Sequence, residues 1–412
     1  MGLKSIAIIG GGISGLAALH FLNKRFEGKA LITLYEAASH TGGNIQTSTQ
    51  DGFCFENGPN GFLAHPATLQ LIKDIGLSGQ LIEAAKENKR RYIQVNGRLH
   101  QIPTGFMSFL GTPLLSGDGK WEVIKGVFRR RVSRDRSIYE YAAARFGREA
   151  AEGLFDPFIS GIFAGNSKRL HMASVFPNIK PKPRARLYSL KEGMGQLIKA
   201  LQERYNLQIK TGYPVNSLQQ LQADKIICTI PAYAAQPVFA GTHLALAQAL
   251  ARVPYAPLVV VGLAFEAKIF RTKPTGFGYL IPSNQRKEIL GVLLDSNCFE
   301  GRAPQGSVIV RVMMGGVNSP RIINESSEVL KEKAMRELDQ IYGLKQNALH
   351  YWVKRWPLAI PQYEMDYPQI AAVIRSETAQ IPNLTLSGNY LNGISLNDCV
   401  NNAKSIAQSL AL

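Results

Sequence analysis

The sequence predicts an α/β fold with α+β elements: a βαβ domain to which the chain returns, a second domain on a mixed sheet, and a helical insertion. Three observations predict it. The N-terminus reads strand, glycine turn, helix, strand; the stretch from about 96 to 187 turns helical; and apolar runs bounded by Gly and Pro recur after it. At 412 residues the chain exceeds what one core usually serves, so two or three domains are expected.

KSIAII at 4–9 is a short apolar run ending in Gly10-Gly11-Gly12, and ISGLAALHFLNKRF follows with apolar residues at helical spacing. LITLYE at 31–36 completes a βαβ unit. The insertion carries Pro103, Gly105, Gly111, Pro113, the run Arg129-Arg130-Arg131 and the helical SIYEYAAARFGREAAEGLF. YNLQIKTGYPV and ADKIICTIPA then return to strand character. Segments 258–265, 289–295 and 308–314 read as buried strands of another sheet, with SSEVLKEKAMRELDQIYG as a helix beside it. The closing LTLSGNYLNGISLNDCVNNAKSIAQSLAL is again strand, glycine loop, helix.

Composition narrows the function classes. Apolar residues are 45% and charged residues 19%, the balance of a folded globular chain. Lys and Arg number 47 against 30 Asp and Glu, a net charge of +17 that suits nucleic acid, acidic lipid or a carboxylated substrate, or simply solubility. A nucleic-acid binder should interleave aromatic and basic residues on a recognisable module, and none is found, so no nucleic-acid partner is expected. Cys54, Cys228, Cys298 and Cys399 lack CxxC pairs or neighbouring histidines, which argues against a zinc site or disulfide framework and for a reducing, cytoplasmic location. The first apolar stretch has a glycine cluster and no cleavage site, so it reads as a folded strand, and no apolar run approaches a membrane span.

The strongest chemical signal is GGGISG, which puts Gly10, Gly12 and Gly15 in GxGxxG spacing between a strand and a helix. One glycine makes the tight turn, one lets backbone N–H groups approach a pyrophosphate, and one lets helix and strand pack closely. Ile13 and Ser14 complete the helix start. Glu36 ends the second strand 21 residues beyond Gly15, where a carboxylate accepts hydrogen bonds from ribose hydroxyls. On residues alone, a tight turn with an exposed Glu is the competing reading.

EAASHTGGNIQT resembles the EAxxRxGGxxxT extension of the amine oxidase and protoporphyrinogen oxidase superfamily, in which the glycines lie along FAD. The resemblance implies that Ala37, Gly42, Gly43, Gly58, Pro59 and Asn60 also line the cofactor. The family's arginine is His40 here, whose neutral imidazole would contact a pyrophosphate more weakly. NKRRYIQVNGRLHQIPTG, DPFISGIFAGNSKRLHMASVFP, PTGFGYLIPS, LLDSNCF, RVMMGG and LSGNYLNGISLNDCV are similar, in order and end to end, to signatures of the protoporphyrinogen oxidase branch. The chain is shorter than that branch between Thr211 and Ala223, where a trimmed hairpin is expected.

The resemblance implies a Rossmann-like FAD-binding domain (1–84, 188–240 and 378–412), a substrate domain (85–104 and 241–377) and a helical membrane-associated domain (105–187). It implies oxidation of protoporphyrinogen in three two-electron steps, with FAD reoxidised by dioxygen or another acceptor and the product handed to ferrochelatase. A coproporphyrinogen oxidase on the same scaffold is the nearest alternative, and a flavin amine oxidase a more distant one. Cofactor chemistry of this kind needs alignment and a dry site rather than a protein nucleophile.

By the same resemblance Arg91 pairs with a substrate propionate, which its forked donors suit; on residue types alone Lys89-Arg90-Arg91 is a solvated basic run, and Arg90 takes the role if the register shifts by one. Gly161 and Ala164 lie beside the macrocycle, and Phe277, Leu280 and Met313 clamp it, positions that read as ordinary core without the resemblance. Val215 contacts the adenine side by its backbone. Gly388, Gly393, Ile394 and Ser395 approach the flavin at the last helix, whereas Asn397 and Asp398 read as helix N-terminal residues. GFMSFLGTPLL and Arg129–Arg131 with Arg134 and Arg136 suit peripheral contact with the inner face of a membrane, an ordinary helical cap on the pocket, or a homodimer interface.

Overall fold

The computed structural model describes residues 4–85, 90–129, 132–177, 186–285 and 287–411. The chain opens with β1 (Lys4–Ile9), α1 (Ile13–Phe26) and β2 (Ala30–Tyr35), the predicted βαβ unit. A hairpin, β3 (Thr47–Gln50) and β4 (Phe53–Glu56), follows, then β5 (Phe62–Leu63), α2 (Pro66–Asp74) and β6 (Leu81–Glu83). A second hairpin, β7 (Arg91–Val95) and β8 (Arg98–Gln101), turns at Asn96-Gly97, both at positive φ, as an Asn-Gly turn between strands requires.

The insertion is helical: α3 (Phe106–Gly111), α4 (Gly117–Phe128), α5 (Ile138–Phe146), α6 (Arg148–Ala150), a π-helical turn over Ala151–Phe155, α7 (Asp156–Phe163) and α8 (Met172–Val175). Ser116 and Ser137 cap α4 and α5, and Ile138, Tyr141, Ile159, Phe163, Leu170 and Met172 form its own small core.

The chain then returns through β9 (Leu187–Leu190), α9 (Gly195–Arg204), β10 (Ile209–Lys210) and β11 (Lys225–Cys228). The expected trimmed hairpin between Thr211 and Ala223 is absent. Ser217 caps a single 3-10 turn over Leu218–Gln220, and β10 is a two-residue edge with no outer strand to pair. After α10 (Ala232–Ala240) and α11 (Leu244–Ala251) come β12 (Tyr255–Glu266), β13 (Gly278–Leu280), β14 (Ile289–Leu293), α12 (Asp295–Cys298), β15 (Ser307–Gly315), α13 (Ser327–Tyr342) and β16 (His350–Pro361). The chain closes with α14 (Tyr367–Ala379), β17 (Leu384–Leu386) and α15 (Leu396–Ser409).

Among the described residues two sheets organise everything. The first is parallel, ordered β10-β2-β1-β11-β17. Ile6 and Ile8 of β1 face a core with α1, α2, α9 and α15, whereas Ala7 and Ile9 face another with α10, α11 and α14, so helices cover both faces. The second sheet is mixed, ordered β16-β12-β15-β14-β13-β7-β8. Val259, Val261, Leu263 and Phe265 of β12 pack with α13, while Val260 and Ala264 point the other way, onto Phe53 and Phe55 of the β3–β4 hairpin. That second face looks toward the first domain, and the site lies along it.

Candidate active site between the two sheets

β1 ends in Gly10 at φ 107°, and a Cβ on Gly15 would land on the Gly10 carbonyl oxygen, so the turn can close only with glycine there. Gly12 is different: its φ of −72° suits any residue, and a Cβ would meet nothing within 4 Å. No side chain caps α1 and its first turn holds no acidic residue, whereas Ser caps α4, α5, α13 and α15. The first amides of α1, at Ile13, Ser14 and Gly15, therefore face an open space suited to an anion. Gly42 closes over this turn, donating from its N–H to the Gly11 carbonyl at 2.8 Å, and Gly43 packs against Gly12.

Glu36 leans over the same turn. Its carboxylate accepts from Gly11 N at 2.6 Å and from Ala38 N at 2.8 Å, which leaves lone pairs for ribose hydroxyls. An uncapped helix start, a side-chain-free wall at Gly12 and a fixed acceptor fit a dinucleotide such as FAD. Ala37 and His40 sit in the exposed part of this loop, and Val215 packs in the core against Ala7 and Ile9.

Farther along, a Cβ on Gly58 would strike the Asn44 carbonyl, which binds the 56–60 loop to the glycine loop; Pro59 is exposed at its crest. Gly388 lies under the Tyr390 ring, and Gly393, at φ 103°, leaves room for Asp398. Ser395 and Asp398 form a capping box on α15, and Ile394 packs against the insertion. Asn397 bridges Thr68 and the Leu63 carbonyl, a structural role.

Strand register brings the apolar positions together. Leu280 pairs with Gly291, and Gly291 pairs with Met313, so Leu280 and Met313 share a face with a side-chain-free gap between them. The insertion covers that face: a Cβ on Gly161 would strike Leu280, and Met313 packs on Ala164, which ends α7 in the left-handed conformation at φ 49°. Arg91 is exposed at the start of β7, its guanidinium carbon 4.9 Å from the Phe277 ring centroid, and it pairs across the sheet with Gly278. Arg90 contributes its carbonyl, which accepts from Phe277 N at 2.8 Å.

Two buried ion pairs that sequence reasoning missed hold these parts together. Arg311 donates to the carbonyls of Glu56 and Gly58 and pairs with Asp295 at 3.0 Å; Asp295 also accepts from the Asn60 amide at 3.1 Å. Arg302, fully buried, lies 3.5 Å from Glu56 and donates to Ser189. Burial pushes the Glu56 carboxyl up, against the pull of the Met194 N–H and Arg302. The Trp356 indole donates to the Asn57 carbonyl at 2.8 Å. The available signal was a charged residue inside an apolar run, in LLDSNCF and in VIVRVMM.

The expected headgroup cations are only partly free. Arg129 donates to Glu122 and to the carbonyls of Ala144 and Arg145, and Arg134 donates to the Pro177 carbonyl. Arg136 has a buried Nε, and Arg130 and Arg131 lie outside the described residues. No helix among the described residues is long and apolar enough to cross a membrane.

Known proteins resemble the chain along nearly its whole length. The profile of the flavin-containing amine oxidoreductase family matches residues 13–411. A chloroplast protoporphyrinogen oxidase of Nicotiana tabacum is 26% identical over 98% of this chain and 84% of its own. The coproporphyrinogen III oxidase of Bacillus subtilis is 26% identical over 98% of this chain and 97% of its own. Among solved structures, an Exiguobacterium protein assigned provisionally as a protoporphyrinogen oxidase superposes with a TM-score of 0.85 at 26% identity, covering 99% of both chains.

Proposed function

The chain belongs to the flavin-containing amine oxidoreductase family and is an FAD-dependent oxidoreductase, and on that premise we propose that it oxidises protoporphyrinogen IX to protoporphyrin IX in haem biosynthesis. The observation that carries this reading is the apolar row of Leu280 and Met313, faced by Gly161 and Ala164, with the Arg91 guanidinium on Phe277 at its outer end. A broad apolar face with one cation at its edge suits a flat macrocycle carrying propionates.

In this reading the α1 amides at Ile13, Ser14 and Gly15 hold the pyrophosphate, with Gly10 and Gly12 shaping the turn and Glu36 binding a ribose. Gly42, Gly43, Gly58, Pro59 and Asn60 follow the cofactor inward; Val215 lies on the adenine side, and Gly388, Gly393, Ile394 and Ser395 lie near the pyrimidine edge. Ala37 and His40 contribute from the outer loop. When bound, FAD accepts two electrons at a time, so three rounds complete the porphyrin, with dioxygen or another acceptor as the final oxidant. The protein's part is alignment: Arg91 holds a propionate, Phe277, Leu280 and Met313 clamp the ring, and the small Gly161 and Ala164 let it approach closely while the apolar walls exclude water.

Mixing flavin-loaded protein anaerobically with protoporphyrinogen should bleach the flavin and produce porphyrin fluorescence. The resemblance to a coproporphyrinogen III oxidase makes coproporphyrinogen the second arm; faster bleaching in that arm would exchange the substrate, and bleaching in neither would sink the porphyrinogen reading.

The same reading places the protein peripherally on the inner face of the membrane, as a homodimer that passes product to ferrochelatase. Support for the membrane contact comes from α3 and α4, which expose Phe106, Met107, Leu110, Trp121, Val127 and Phe128.

A further inference from the structure

The wall formed by α7 is held at both ends, and the hold at its start is a buried carboxylate. Pro157 has no N–H to continue the helix, and a π-helical turn over Ala151–Phe155 precedes it, a kind of irregularity often found at functional sites. At that junction sits Asp156, buried, with every close donor coming from outside α7. Its Oδ1 accepts from the Ser167 hydroxyl at 2.7 Å; its Oδ2 accepts from the Ser283 N–H at 2.9 Å and the Ser283 hydroxyl at 2.6 Å. Ser283 lies three residues beyond Leu280, in the turn that leaves β13. At the far end, Gln362 donates to the Phe163 carbonyl at 2.9 Å, and Val317 N–H donates to the Ala164 carbonyl at 2.9 Å.

We infer that Asp156 is a positioning residue for the porphyrinogen: by joining Ser167 and Ser283 it fixes the distance between the helix that carries Gly161 and the strand that carries Leu280. The inference rests on the proposed substrate, but the bridge itself does not. Gly161 and Leu280 are already in contact, so a small outward swing of α7 changes the spacing over the apolar face of Leu280 directly. A buried carboxylate with three donors is strongly held, whereas a neutral amide in its place would keep the Ser283 N–H only on its oxygen, lose the charge that strengthens all three bonds, and make the Ser167 hydroxyl accept instead of donate.

The test uses holoenzyme and three proteins: wild type, Asp156→Asn and Ser283→Ala. Hydrogen exchange reads the bridge without substrate. Asp156→Asn should speed exchange in the segments around Ile281–Gln285 and Gly161–Ser167 while leaving the β1 amides and the bound flavin unchanged. Steady-state kinetics read its purpose: the KM for protoporphyrinogen should rise about fivefold or more in Asp156→Asn and less in Ser283→Ala, which keeps the other two bonds, with flavin reduction by dithionite unaltered. Unchanged exchange would overturn the bridge. Changed exchange with unchanged KM, or a KM change that tracks lost flavin or a general fall in melting temperature, would overturn the positioning role. Wild-type protein that never bleaches with porphyrinogen would instead reject the substrate reading, leaving the bridge to be judged by exchange.

Discussion

At the residue scale, the two glycines of the N-terminal turn separate folding from cofactor binding. Gly12 faces open space at an ordinary φ, so Gly12→Ala should leave the apoprotein's melting temperature unchanged and weaken FAD binding, because the added methyl fills space the pyrophosphate needs. Gly15→Ala drives its methyl into the Gly10 carbonyl and should destabilise the apoprotein itself, by about 1–3 kcal/mol or more. Apo melting curves with FAD titration check both, and equal destabilisation by the two substitutions would contradict the distinction. Arg91→Ala should raise the KM for protoporphyrinogen roughly 10- to 100-fold with flavin retained, the span expected for a charged hydrogen-bonded pair; unchanged kinetics would remove Arg91 from the site. Arg91 stood out only through the resemblance of its segment, whereas the glycine turn was legible in the sequence itself, because Gly15 answers a local steric demand and Gly12 completes the GxGxxG spacing. Asp295 and Arg311 were not, since their pairing depends on how β15 registers with α12, which no local pattern encodes.

At the element scale, α1, α2 and the end of α9 are clasped by one buried histidine. His20 of α1 contacts Asp74 of α2 at 3.1 Å and the Tyr205 hydroxyl at 2.9 Å, with Lys24 on the same carboxylate. Burial lowers the His20 pKa below its usual 6.5, although Asp74 pulls it upward. Burial raises the Asp74 carboxyl, but hydrogen bonds from Lys24, His20 and Gln70 outweigh it and bring Asp74 down to about 2. A histidine with a depressed folded-state pKa stabilises fully above its unfolded value, and that stability drains away as pH falls below 6.5. The melting temperature should therefore drop between about pH 7.5 and 5.5, and less in His20→Gln, which keeps both partners but does not titrate. Parallel pH profiles would rule the clasp out as the source. Elements with strong periodicity, such as α1 and α13, could be read directly. β16 could not: HYWVKRWPLAIP mixes charges and prolines on an edge strand, where pairing on one side is enough. The hairpin expected after Thr211 came from a length comparison, and a capped 3-10 turn spans the gap with fewer residues.

At the scale of the whole molecule, the two sheets are joined by the insertion and by Arg311, so the proposed site draws on segments far apart in sequence; the order of those segments along the chain was readable, their meeting in space was not. The insertion's outer side makes the last prediction. Met107 and Phe128 are 78% and 84% exposed, beside Phe106, Trp121 and Val127, while Lys125 and Arg129 are both turned onto Glu122. With Lys125 and Arg129 engaged by Glu122, this surface should enter a bilayer chiefly through its apolar side chains, each contributing up to about 1.5–3 kcal/mol if fully buried. Met107→Ser with Phe128→Ser should therefore weaken flotation with anionic liposomes tenfold or more, roughly the effect of losing 1.4 kcal/mol or more. Raising salt to about 0.5 M, which shortens the Debye length to roughly 4 Å, should weaken it less. The reverse order, with salt releasing the protein and the serine variant still floating, would shift the attachment to cations elsewhere on this basic chain. An unchanged monomer–dimer distribution in the serine variant would also separate a lipid-facing role from a subunit interface, because an interface losing two buried apolar side chains dissociates.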